Sequence, residues 1–187
     1  MTPTPKPAYG GSFLCEPPGK IFTPENFTEE HRAIAKATEE FFRNEVEPNL
    51  EAILHQDFAV LRRVLQKSAE VGLVATMVPE EYGGMEMDLT SAMIVTESIA
   101  RDASYASCHG AQAGIGALPV LIFGTDDQKQ RYLPKLVTAE LVAAYCLTEA
   151  HAGSDALNTR TRAVLSPDGT HYVLSGQKMW ITNGGLA

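Results

Sequence analysis

The hydrophobic period of this chain changes once, near residue 140, and that change divides it in two. Before it, apolar residues recur at helical spacing; after it, they alternate between turn signals. Thr28 suits an N-cap, with Glu29 and Glu30 in the first turn and Ile34, Ala37, Phe41, Phe42 and Val46 on the apolar face. Pro48 kinks or ends that helix. A second helix is predicted over about 57–71, with Leu61, Val64, Leu65 and Ser68 inward and Gly72 as its stop. Residues 78–84 read as a loop. Asp88 caps a third helix whose inward face is Leu89, Ala92, Met93, Thr96 and Ile99. A fourth reaches about Phe123 and stops at Gly124. Thr125 caps a fifth that carries Gln128, Tyr132 and Leu136. Five helices without a strand make a bundle.

Beyond 140 the pattern is that of strands. Residues 142–146, 161–165 and 172–174 read as strands, and the chain turns at 175–176 into a further one over 178–182. Ser166-Pro167-Asp168-Gly169 is a turn with Pro in its second place and Gly in its fourth. The fold class is therefore α+β: an extension over 1–27, a helical bundle over 28–140, and the first strands of an antiparallel β domain over 141–187. These strands are too few to close a barrel, so their edges are expected to be exposed and to favour self-association into a homo-oligomer.

Composition narrows the function. The formal charge of −8, with no basic cluster, argues against nucleic acid and against an anionic membrane surface. Residues 103–125 hold no Asp, Glu, Lys or Arg, which by length alone fits a membrane span. Ser104, Ser107, His109, Gln112 and Pro119 lie within that run, so a central buried helix is the better reading and no integral membrane segment is expected. Cys15, Cys108 and Cys146 are far apart, and no pair has metal-ligand spacing. No metal site is assigned. With no signal peptide in view, a reducing cytoplasm is the default location, and residues 1–9 read as a flexible tail.

The chemistry concentrates in two stretches. Residues 145–155 read YCLTEAHAGSD, and 176–185 read GQKMWITNGG. The first places the hydroxyls of Thr148 and Ser154 beside Gly153 and backbone donors. The second sets an indole, an apolar residue and a hydroxyl in a row. A planar ring with a polar edge and apolar faces wants this equipment. Taken singly, Thr148 and Ser154 suit turns or caps, and Trp180 suits a core. Glu149 and Asp155 suit loop caps. His109 suits a hydrogen-bonded core position, and Cys146 a strand residue turned into packing. His31, His55 and His171 suit the surface.

Those two stretches resemble the flavin-binding segment of the acyl-CoA dehydrogenases. VPEEYGGMEMD (78–88) and IFGTDDQKQRYLPKL (122–136) are also similar to family segments, in the family's order. The opening GGSFL … FTPENFTEE resembles the long-chain and very-long-chain branch. The resemblance spans about residues 20 to 187 and implies FAD as cofactor. It places Tyr145, Leu147, Thr148, Gly153, Ser154, Trp180, Ile181 and Thr182 at the cofactor, with Ser154 also near the CoA part of the substrate. Thr148 would serve the polar edge of the flavin, Trp180 would shield the ring system, and Thr182 would reach toward the hydride-accepting atom. The implied reaction is α,β-dehydrogenation of a fatty acyl-CoA to the trans-2-enoyl-CoA in fatty acid β-oxidation, with electrons leaving for an electron-transferring flavoprotein.

Relatives have Pro-Gly where this chain has Ala150-His151, so a differently shaped loop is expected. Asn158 also departs from the family pattern. Gly83-Gly84 suits a plain turn or the acyl end of the cavity. The family's catalytic glutamate lies in a further helical domain. No acid in this sequence stands at a matching position, so no catalytic residue is assigned and residues 1–187 alone are expected to be inactive. A related acyl-CoA oxidase, a flavin monooxygenase on the same scaffold, and a naturally truncated binding module fit the same residues.

Overall fold

The computed structural model describes residues 22–187. Of the N-terminal extension, residues 1–21 lie outside the described part, and Pro24–Asn26 form a 3-10 turn.

Caps written in the sequence start the helices. Thr28 accepts from His31 N at 3.1 Å and opens α1 (Glu29–Phe41), while His31 Nδ1 accepts from Thr28 N, a capping box with histidine in the usual place of Glu or Gln. That role buries His31, against the expectation of a surface residue. The helix does not stop near Pro48. It runs through a π-helical stretch (Phe42–Val46) and a 3-10 turn (Glu47–Asn49) into α2 (Leu50–Leu54). Proline lacks the N–H for a regular ladder, and the register change absorbs it.

Asp57 caps α3 (Phe58–Glu70), which buries the predicted Leu61, Val64, Leu65 and Ser68. Asp88 caps α4 (Leu89–Ile99), yet Leu89 and Met93 are 66% and 59% exposed, and Thr96 is also exposed. Ile99 is buried as expected, but Ser91, Ile94 and Val95 face the core in place of the others. This helix is apolar on nearly every side, so periodicity alone does not choose its buried face. The polar side chain of Ser91 goes inward because Asp88 accepts its hydroxyl at 2.8 Å.

A single helical run, Ala103–Phe123, follows. It comprises α5 (Ala103–Gly110), a π-helical stretch (Ala111–Gly116) and α6 (Leu118–Phe123). With a mean hydropathy of 1.3 it is long and apolar enough to cross a membrane by length and composition. It is central in sequence but not enclosed: Ile115, Ile122 and Phe123 remain exposed. Thr125 caps α7 (Asp126–Val137), which buries Leu133, Leu136 and Val137. Tyr132 is exposed, and Gln128 spends its amide oxygen on the Thr125 N–H.

Two apolar clusters result among the described residues. Phe41, Phe42, Val64, Leu65, Ile99 and Tyr105 form the larger, and Leu186 from the far end of the chain joins it. Val78, Tyr82, Leu133, Leu136 and Val137 form the smaller. Burying one leucine of this kind contributes about 2 kcal/mol, so Leu186 anchors the last turn on the bundle.

The β part is small. Strands β1 (Arg162–Leu165) and β2 (Tyr172–Ser175) pair antiparallel, with Ala163 opposite Leu174 and Val164 opposite Val173. Gly169 N donates to Ser166 O at 2.9 Å across the predicted turn, with Gly169 at φ +69°. Both strands are exposed on both faces, as two strands without a covering layer must be. The other two predicted strands are not formed. Residues 142–146 carry no regular secondary structure and have no ladder partner among the described residues, and Cys146 is exposed rather than packed. Residues 178–182 do not form a strand because Trp180 adopts φ +57°, outside the β region.

Candidate functional site

Side-chain and main-chain ties bring the two motif stretches together. Met179 N donates to Thr148 O at 2.9 Å. One residue earlier, Lys178 Nζ donates to Leu147 O and to Glu149 Oε1, each at 2.8 Å. Glu149 is buried. Its carboxylate also accepts from Arg160 N (2.7 Å), Thr161 N (3.0 Å) and the Thr161 hydroxyl (2.5 Å). Main-chain bonds at 3.0 and 3.1 Å between Glu149 and Ala152 close the bend.

The Lys178 ammonium, then the Thr161 hydroxyl and the Arg160 amide, hold the Glu149 carboxyl well below the usual carboxylate range. Glu149 is thus a loop organiser, the role its type suggested. His151 Nε2 lies 3.5 Å from Glu149 Oε2, so this histidine faces the carboxylate. A cavity of about 270 Å³ lies at the junction, lined by Glu149, Ala150, His151, Arg160, Thr161, Gly176, Gln177 and Met179.

The expected cofactor residues take these positions. Tyr145 and Leu147 are exposed on the extended run into the bend, and Thr148 is half-buried with its carbonyl on Met179. Gly153 and Ser154 are exposed beyond the bend and lie outside the lining of that cavity. Nothing stands within 4 Å of where a Gly153 Cβ would sit. Trp180 is 83% exposed, an unusual position for the chain's one tryptophan. Ile181 and Thr182 border a second cavity, of about 360 Å³, with Ser104, Cys108 and Asn183. The structure therefore joins Thr148 to the Trp180 stretch, sets Ile181 and Thr182 against α5, and leaves Gly153 and Ser154 free at the bend.

Gly83-Gly84 resolves as a turn. Gly83 sits at φ +83°, and a Cβ on Gly84 would collide with the Val78 carbonyl. Three organising residues escaped the sequence reading: Lys178, Gln112 and Asn183. Only Gln112 carried a signal, as a lone amide within an uncharged apolar run.

Both parts of the chain match known proteins. Residues 28–140 match the family model "Acyl-CoA dehydrogenase, N-terminal domain", and residues 144–187 match "Acyl-CoA dehydrogenase, middle domain". The chain belongs to the acyl-CoA dehydrogenase family. A probable acyl-CoA dehydrogenase of Bacillus subtilis is 47% identical over 95% of this chain and 30% of that protein. A mitochondrial very long-chain specific acyl-CoA dehydrogenase of Macaca fascicularis is 45% identical over 66% of this chain and 19% of that protein. Among solved structures, an acyl-CoA dehydrogenase complexed with FAD from Bacillus anthracis superposes with a TM-score of 0.91 at 48% identity, covering 95% of this chain and 31% of that one. The chain thus spans less than a third of the length of these curated relatives.

Proposed function

We propose that this chain is the N-terminal portion of an FAD-dependent dehydrogenase that takes hydrogen from Cα and Cβ of a fatty acyl-CoA thioester. The product is the trans-2-enoyl-CoA, as in fatty acid β-oxidation. The reading extends to a cytoplasmic homo-oligomer that passes electrons to an electron-transferring flavoprotein. The observation that carries it is the Met179–Thr148 bond, which sets the hydroxyl-bearing bend and the indole-bearing run side by side.

The residues present suit a flavin. Tyr145, Leu147 and Trp180 offer uncovered apolar surface, Thr148, Ser154 and Thr182 offer hydroxyls, and the open space at Gly153 admits a close backbone approach. Thr148 would hold the polar edge of the ring. Gly153 and Ser154 would take the pyrophosphate and the CoA side, and Trp180, Ile181 and Thr182 would form a wall. The bound flavin supplies the hydride acceptor. Glu149 is no candidate for removing the α proton, because Lys178 and three further donors stabilise its ionised form.

The test compares residues 1–187 with the full-length gene product. After incubation with FAD and gel filtration, the full-length protein is expected to be yellow and to turn over acyl-CoA. Residues 1–187 are expected to emerge colourless and inactive, because one wall does not exclude water from the ring. A colourless full-length protein overturns the flavin reading. Stoichiometric FAD on residues 1–187 overturns the view that they supply one wall only.

A further inference from the structure

The run into the bend and the run out of Thr182 meet at Ala143, whose two main-chain groups are both held by side chains. Its N–H donates to Gln112 Oε1 at 2.7 Å, and its carbonyl accepts from Asn183 Nδ2 at 3.1 Å. Gln112 is fully buried and donates to the carbonyls of Leu136 and Leu141 at 2.7 and 2.9 Å. Asn183 Nδ2 also donates to the Cys108 carbonyl at 3.1 Å, beside the π-helical stretch that interrupts the regular ladder of the helix. Gly116, in that stretch, lets Ala143 approach: a Cβ there would collide with the Ala143 Cβ.

Residues 180–182 are therefore bracketed. On one side Lys178 and Met179 are tied to residues 147–149; on the other Asn183 is tied to Ala143 and to α5. Between the ties Trp180 takes φ +57°, a conformation that a bulky residue keeps only when its surroundings impose it. Asn183 itself sits at φ +65°, which asparagine tolerates.

We propose that Asn183 is a positioning residue for the redox step. Through its two hydrogen bonds it fixes Trp180 and Thr182 relative to Thr148 and to α5, with Gln112 holding the other side of Ala143. This rests on the flavin reading above and adds a residue that acts through Trp180 and Thr182.

The test uses the full-length protein with Asn183→Gly, which keeps the positive φ open and removes only the side chain. A second variant, Asn183→Ser, keeps a shorter polar group in case the first does not fold. In flavin-free protein, amide exchange over residues 178–184 is expected to quicken while exchange in α1 and α3 stays as in the parent. In the FAD-loaded protein, kcat per bound flavin is expected to fall about 10- to 100-fold, the scale of an ångström-size misplacement, with KM little changed. Unchanged exchange over 178–184, or a loss of activity wholly accounted for by loss of FAD, overturns the proposal. A parent protein that binds no flavin defeats the flavin reading instead, and the exchange experiment still decides whether Asn183 orders the segment.

Discussion

Lys178 Nζ lies 2.8 Å from the Glu149 carboxylate and 2.8 Å from the Leu147 carbonyl, so one ammonium group fastens the indole-bearing run to the bend that precedes it. The pair is largely shielded from water, with the Glu149 side chain 3% exposed and that of Lys178 22% exposed. Surface ion pairs stabilise little, but one bridging two loops and satisfying a buried carboxylate has a positional role. Glu149→Gln and Lys178→Met are each expected to weaken FAD retention by the full-length protein about tenfold or more, the scale of a lost charge-assisted hydrogen bond. The double variant should lose little beyond the worse single one, since both remove the same tie. Equilibrium FAD titration of the four proteins measures this, and strictly additive losses would break the link.

Acid should destabilise the fold in two stages. Burial pushes His109 from an ordinary 6.5 down to about 4, while its Nε2 lies 3.2 Å from the Leu73 carbonyl. Between those values the unfolded chain binds a proton that the folded chain refuses, so stability falls as pH drops through this window, by on the order of 3 kcal/mol in total. Glu149 acts lower down. Its folded carboxyl lies below the ordinary 4.5, so its contribution is present above pH 4.5 and is lost as pH falls further. Melting curves should drop from pH 6.5 downward and steepen below 4.5. His109→Gln should melt lower than the parent at neutral pH yet vary less between 6.5 and 4.5. Parallel curves for the two proteins would remove His109 as the cause.

Gln112 offers a test of the junction that is independent of any cofactor. Replacing it with leucine leaves the Ala143 N–H and the Leu141 carbonyl without this partner and removes the shortest bond to the Leu136 carbonyl, which keeps the Ala139 N–H at 3.2 Å. Unpaired buried groups cost about 1–3 kcal/mol each, with water relieving part of that, so a loss on the order of 3 kcal/mol is expected for Gln112→Leu. Chemical denaturation gives the number. A change under about 0.5 kcal/mol, the range of ordinary surface substitutions, would show that the amide carries no structural load.

What could be read in advance follows the range of the interactions. Thr28, Asp88 and Thr125 were legible as caps because a cap acts on the next two or three residues. The two motif stretches were legible because their residue types are unusual in combination. The buried face of α4 was not, because Leu89 and Met93 are as apolar as Ile94 and Val95, and only the packing of α1 against that helix chooses between them. The strand expected over 142–146 failed because a strand needs a partner and periodicity does not supply one, and that over 178–182 failed at the positive φ of Trp180, which no local pattern announces. The ties that build the site span 29 residues for Lys178–Glu149, 31 for Gln112–Ala143 and 40 for Asn183–Ala143, beyond any local pattern.

Two glycines of the same helical run should respond in opposite directions. A Cβ on Gly116 would collide with the Ala143 Cβ and lie 2.5 Å from the Ala111 carbonyl, so the extended run must move away from the helix to admit it. Gly116→Ala is expected to destabilise by about 1–3 kcal/mol, the usual cost of forced overpacking. Gly110 has helical backbone angles, and nothing stands within 4 Å of its added Cβ. There alanine removes only the excess freedom of the unfolded chain, and Gly110→Ala should stabilise by about 0.5–1 kcal/mol. Both variants are measured by denaturant midpoint against the parent. If Gly116→Ala proves neutral, Ala143 does not need the close approach, and the bracket around residues 180–182 has slack that its hydrogen bonds do not reveal.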